Sequence, residues 1–168
     1  RPETTIGGVE TKRGAWTVSI GYLDSEGEYH HQCSGAILTD TVVITAAHCL
    51  IDNVVTRVHA GRTNPRLRGA VVRFIERTAS HPLYDGKAIY HDVALLFLDE
   101  AFEFSPNIQP ICLPEKAMTG SEMIVNWGLV TQGWSPGSSE DLDKLLLTEV
   151  NVNVQPSEEC NSIYSSLV

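Results

Sequence analysis

At 168 residues and a formal net charge of −9, the chain is long enough for one domain with a sizeable core and too acidic for generic nucleic-acid binding. No apolar run approaches the roughly 20 residues that a membrane-spanning helix needs, so neither nucleic acid nor membrane is expected as a partner. Four cysteines and the acidic balance suit an extracellular or lumenal setting, and the chain opens on Arg1 with no apolar leader, as expected where a targeting segment or propeptide has been removed.

Residues 15–22 alternate apolar and polar side chains, as a half-buried strand should, and residues 32–38 and 42–46 read as a hairpin around Thr39-Asp40-Thr41. Asp24-Ser25-Glu26-Gly27-Glu28 makes the polar tip between them. His30, His31 and Cys33 have the composition of a metal site, but the cysteine has a better use in a disulfide and no second ligand cluster follows. No metal or other cofactor is expected. Residues 54–61 and 70–78 continue the strands. Ser80-His81-Pro82-Leu83-Tyr84 then leads through a loop to His91-Asp92 and a strand over residues 93–98, with His81 and His91 read as structural or exposed.

Residues 107–114 carry two prolines and read as an extended connection, because residues before proline are driven away from helix. Farther on, residues 133–139 read as a flexible loop and residues 145–154 as a strand. Pro156 suits the first turn of a short helix through Glu158, Glu159 and Cys160 toward Tyr164.

The stretch that carries chemistry is Val42-Val43-Ile44-Thr45-Ala46-Ala47-His48-Cys49-Leu50. Its β-branched run reads as a buried strand, and the two small alanines allow a tight turn that leaves His48 standing at the strand's end. Asp92 repeats the design, standing immediately before the apolar run Val93-Ala94-Leu95-Leu96-Phe97-Leu98. A buried carboxylate there would be costly without a partner. Facing a histidine, it accepts a hydrogen bond from Nδ1–H, fixes the tautomer and stabilises the imidazolium formed when Nε2 takes a proton.

Thr45-Ala46-Ala47-His48-Cys49, with Cys33 upstream and Asp92-Val93-Ala94-Leu95-Leu96 downstream, resembles the trypsin/chymotrypsin-like serine endopeptidases. The resemblance implies an all-β double antiparallel barrel. Its first, six-stranded barrel would be complete over about residues 15–105, with a connection over 106–122 and a truncated second barrel over 123–168. It implies His48 as general base and acid, Asp92 as its orienting partner, and a protein or peptide substrate. The four cysteines allow three pairings; the resemblance implies the Cys33–Cys49 bridge, a propeptide tether for Cys112, and for Cys160 a partner farther along.

Departures from the family pattern are equally legible. Thr5-Ile6-Gly7-Gly8-Val9 is similar to the family's mature N-terminus, yet Thr5 stands where Ile or Val is usual and Thr4 where a basic residue is usual. Either an unusual activating protease or a homologue that is never activated accounts for this. Asn126 replaces the first glycine of the family's Gly-Trp-Gly strand over residues 124–128. The loop matching a calcium loop in some relatives, residues 62–68, lacks the acidic ligands calcium needs.

No Gly-Asp-Ser-Gly-Gly segment, which in the family supplies the nucleophile and the oxyanion-hole amides, occurs in the 168 residues. Ser121, Ser138 and Ser139, in Gly120-Ser121-Glu122 and Ser138-Ser139-Glu140, lack the glycines after the serine that let N–H groups approach an oxyanion. The expected function is thus serine endopeptidase in the intact parent with the nucleophile outside this chain, or alternatively a non-catalytic homologue acting as a binding module. Arg57, Arg62, Arg66, Arg68, Arg73 and Arg77 fall close together with Glu76 as the one nearby acid. They are either a solvated face or an anion-binding exosite for an acidic partner.

Overall fold

The computed structural model describes residues 9–11, 14–51, 54–64, 69–86, 90–114, 128–136, 145–156, 158, 159 and 162. Strands are β1 (Val9–Glu10), β2 (Thr17–Leu23), β3 (Tyr29–Ile37), β4 (Val42–Thr45), β5 (Arg57–Ala60), β6 (Val71–Ser80), β7 (Ala94–Leu98), β8 (Gly128–Pro136) and β9 (Leu145–Asn153). Six of them close an antiparallel barrel in the order β2-β3-β4-β7-β6-β5, with β5 returning to pair with β2. Closure leaves this sheet without a free edge. The expected all-β fold, a complete first barrel followed by part of a second, is what the chain adopts.

The barrel fills from the inward face of each strand. Val18, Ile20, Ile37, Val43, Val58 and Leu96 are fully buried, and each such side chain contributes about 1.5–3 kcal/mol through removal from water. At Gly35 the barrel interior leaves no room for a side chain, since a Cβ there would stand 2.8 Å from both Ile20 Cδ1 and Val43 Cγ1. Any larger residue would push β3 away from its neighbours.

The polar face of β2 corrects the expected half-buried alternation. Thr17, Ser19 and Gly21 are buried along with Val18 and Ile20, because a second layer reaches Thr17 and residues of β3 cover Ser19 and Gly21. Thr17 Oγ1 donates to Gln132 Oε1 of β8 at 2.8 Å, Ser19 Oγ lies 2.8 Å from Tyr29 Oη and 2.7 Å from His31 Nδ1, and the His31 ring lies against Trp134. His31 is thus engaged in a hydrogen bond, and His30 Nε2 bonds Asp24 Oδ2 at 2.6 Å.

The second layer is a three-stranded sheet in the order β1-β9-β8. The pairing of β1 with β9, Val9 opposite Glu149, joins residues that are distant in sequence. The expected loop over residues 133–139 is corrected in its first half, for residues 133–136 complete β8, from Gly133 opposite Thr148 to Pro136 opposite Leu145. The cause lies in Trp134, which is buried and donates its indole N–H to Thr63 O at 2.8 Å, so this segment anchors the sheet to the first barrel. Residues 137–139 and the expected strand over 124–127 lie outside the described residues. So does Cys160 in the expected terminal helix, of which residues 158, 159 and 162 are helical. Among the described residues no helix is long and apolar enough to cross a membrane.

Candidate active site

Two adjacent strands place the central pair. β4 pairs with β7 in the register Thr45 opposite Ala94. The chain leaving β4 after Thr45 and the chain entering β7 before Ala94 therefore emerge at the same end of the barrel. Past Thr45, Ala46 keeps an extended conformation and a 3-10 helix, Ala47–Leu50, begins at once, so that His48 projects from its first turn. Ahead of Ala94, a tight turn holds Asp92, with Val93 N–H donating to His91 O at 2.8 Å and His91 in the left-handed region at φ 60°. The rings of His81 and His91 stack with centroids 4.8 Å apart and brace this turn.

Asp92 then grips His48 twice. Its Oδ1 accepts the His48 main-chain N–H at 2.8 Å and its Oδ2 lies 2.7 Å from His48 Nδ1. Burial pushes the Asp92 carboxyl upward, but hydrogen bonds from the His48 ring, the His48 main-chain N–H and the Ala47 main-chain N–H outweigh it and hold the group below the usual carboxylate range. With Nδ1–H given to the carboxylate, His48 presents Nε2 as an acceptor. The expectation that Asp92 is buried is corrected: its side chain is 26 % exposed and that of His48 45 % exposed, because the pair sits on a 3-10 helix and a turn beyond the ends of the two strands. The sequence also carries no signal for Tyr84, whose hydroxyl pKa is raised by burial and by the Asp92 and Asp85 carboxylates.

Cys33 in β3 and Cys49 beside His48 are bridged, with Cα atoms 6.2 Å apart. The bridge ties the 3-10 helix to the barrel wall. Cys49 Sγ lies 3.6 Å from His48 Nε2. Cys112 is exposed and carries a free thiol.

Ser121, Ser138 and Ser139 lie outside the described residues, as do Thr5, Arg66 and Arg68. The other arginines are individually engaged. Arg57 lies over the Phe74 ring at 5.0 Å and Arg77 over Phe97 at 3.5 Å. Arg73 lies over Phe102 and donates Nε and Nη2 to Ala101 O at 3.0 and 2.8 Å, and Arg62 Nε donates to Gly69 O at 3.2 Å. Among the described residues no arginine has a carboxylate partner, both close ion pairs being made by histidines.

A closed six-stranded antiparallel barrel beside a second antiparallel sheet, with a histidine gripped by a carboxylate at the barrel's end, is the architecture of a trypsin-like serine protease. The family model described as Trypsin matches residues 5–168, and the chain belongs to that family. It is 29 % identical to Serine proteinase stubble of Drosophila melanogaster over 98 % of this chain and 22 % of that protein. It is 34 % identical to Phenoloxidase-activating factor 1 of Holotrichia diomphalia over 70 % of this chain and 39 % of that protein. The chain thus spans well under half the length of these curated relatives. Among solved structures it is similar to the Drosophila Grass clip serine protease of the Toll pathway, with a TM-score of 0.75 and 26 % identity, over 98 % of this chain and 51 % of that one.

Proposed function

We propose that the chain carries the base half of a serine endopeptidase active site, in an extracellular protein whose nucleophilic serine and oxyanion-hole amides are supplied by residues outside these 168. In this reading residues 15–105 are the first barrel, 106–122 the connection and 123–168 part of the second. The observation that carries the proposal is the double grip of Asp92 on His48. It fixes the imidazole as the tautomer with Nε2 free, which is the state a general base requires.

In the reaction established for such enzymes, His48 Nε2 takes the proton from the serine hydroxyl as its oxygen attacks the scissile carbonyl. The imidazolium that results donates both N–H groups, one to Asp92 Oδ2 and one to the leaving amine. Asp92 stays ionised throughout. The test is turnover of a mixed peptide library by the full-length parent. His48→Ala and Asp92→Asn should each abolish most of it, the latter by roughly 10⁴-fold in kcat. Undiminished turnover in either variant would refute the assignment.

A second reading, a non-catalytic homologue that binds an acidic partner, is favoured by one surface. Arg57 and Arg77 lie on aromatic rings of neighbouring strands and have no carboxylate partner among the described residues. Guanidinium groups held flat in this way keep N–H donors for an incoming anion. Retention on heparin or an acidic peptide that falls with salt, and falls further in Arg57→Ala/Arg77→Ala, is expected if this face serves as an exosite.

A further inference from the structure

We propose that reduction of the Cys33–Cys49 bridge opens a three-ligand site for a thiophilic divalent metal ion, zinc above all, formed by Cys33 Sγ, Cys49 Sγ and His48 Nε2. Occupancy of that site would silence His48; only this consequence rests on His48 being the base, and the binding itself does not.

The donors converge from two elements, Cys33 from the barrel wall and His48 with Cys49 from the 3-10 helix. Their ligand atoms all lie within 4.8 Å of one another. A tetrahedral zinc ion with Zn–S near 2.3 Å and Zn–N near 2.0–2.1 Å sets its donors about 3.3–3.8 Å apart. Cys49 Sγ and His48 Nε2, 3.6 Å apart, already match one edge of that tetrahedron. Freed of their bond, the two sulfurs need rotation about side-chain bonds to reach the remaining separations. The Cα atoms, 6.2 Å apart, leave room for both thiolates to face one ion.

The surroundings of the imidazole fit a metal ligand as well as they fit a base. Asp92 Oδ2 holds Nδ1–H, so the lone pair stands on Nε2, and a carboxylate behind a ligating imidazole strengthens the bond it makes. Cys33 and Cys49 are half-buried and His48 is exposed, which gives an ion a way in and leaves its fourth position to water. Two thiolates and an imidazole favour zinc over calcium or magnesium.

With the bridge intact both sulfurs are spent and no site exists. A dithiol reductant supplies two electrons and two protons by thiol–disulfide exchange and is itself oxidised to a disulfide. The two thiols formed then lose their protons to solvent as the metal binds.

The test uses the 168-residue chain with Cys112 and Cys160 replaced by serine, reduced by a water-soluble phosphine under argon and titrated with Co²⁺. One equivalent should bind with the visible bands of a tetrahedral thiolate complex, Zn²⁺ should displace it, and the oxidised chain should show neither. His48→Ala should weaken binding by roughly tenfold or more, and Asp92→Asn by about 10–100-fold. As a check on folding, Zn²⁺ should raise the unfolding temperature of the reduced chain and not of the reduced His48→Ala variant. Cobalt binding by the oxidised chain, affinity unchanged in His48→Ala, or no tetrahedral spectrum after reduction would overturn the proposal. None of these readings depends on turnover.

Discussion

Asp92 holds His48 by two different atoms, the main-chain nitrogen through Oδ1 and the ring Nδ1 through Oδ2. The first contact fixes where the 3-10 helix begins and the second fixes how the imidazole is turned. One carboxylate therefore sets both the position and the tautomer of the side chain that would take the proton.

That carboxylate makes stability depend on pH in a defined direction. Its folded pKa lies below the ordinary value, so the stabilisation is fully present above the unfolded pKa near 3.9 and is lost as pH falls through the folded value. Asp92→Asn should cost about 1–3 kcal/mol near neutral pH, from the charge-assisted hydrogen bonds. The gap between the two proteins should close below about pH 4. Urea unfolding midpoints between neutral pH and strong acid check this; a gap that persists unchanged into strong acid would show that the bonds do not depend on the charge.

At the alkaline end the corresponding residue is Tyr29. It is buried, and burial pushes its hydroxyl up to about 12 against the hydrogen bond from Ser19 and the charge of Arg57, both of which lower it. The sign here is opposite. Stability is fully present below the unfolded pKa near 10 and is lost as pH rises through the folded value, by about 2–3 kcal/mol in all. Tyr29→Phe should be about 1 kcal/mol less stable at neutral pH, having lost the bond to Ser19. It should become the more stable of the two as pH approaches 12. Unfolding curves that run parallel across this range would contradict the burial argument.

Trp134 supplies the test of how the two sheets are joined. Its indole N–H and the main-chain N–H of Leu147 both donate to Thr63 O, at 2.8 and 3.0 Å. Trp134→Phe keeps most of the packing and should cost about 1 kcal/mol, whereas Trp134→Ala should cost about 3–5 kcal/mol. Denaturant unfolding followed by backbone circular dichroism measures both, and equal effects would mean that the hydrogen bond, not the packing, joins the sheets.

These sites differ in how far the sequence discloses them. His48 and Asp92 are legible because each closes or opens a short apolar run, and the ends of paired strands meet. The burial of Thr17 is not legible, since its partner Gln132 lies more than a hundred positions away, and Ser19 is covered by Tyr29 and His31 of the next strand, His31 in turn lying against the distant Trp134. Nor does anything in Val9 and Glu10 announce a partner at Glu149 and Thr148. The arginines show a different limit. Closeness in sequence suggests a single charged cluster but not the local partners, an aromatic ring on the paired strand for Arg57 and Arg77 and main-chain carbonyls for Arg62 and Arg73.

The isolated 168-residue chain should not hydrolyse peptides at a protease-like rate, even with His48 and Asp92 in place. A base accelerates acyl transfer only when a nucleophile stands within hydrogen-bond reach of it, about 2.6–3.2 Å. Among the described residues the hydrogen-bonding contact of Nε2 is with Cys49 Sγ, 3.6 Å away and committed to a disulfide. The sequence also holds no Gly-Asp-Ser-Gly-Gly segment to orient amides at an oxyanion. In a related catalytic unit, loss of the serine alone removes on the order of 10⁶ in kcat, and what remains comes from the oxyanion hole and substrate binding. Adding the chain to mixed fluorogenic peptides beside a His48→Ala control measures the residue. Equal, near-background rates are expected; turnover that vanishes in the control would reveal a nucleophile within these 168 residues and overturn the placement of the serine outside them.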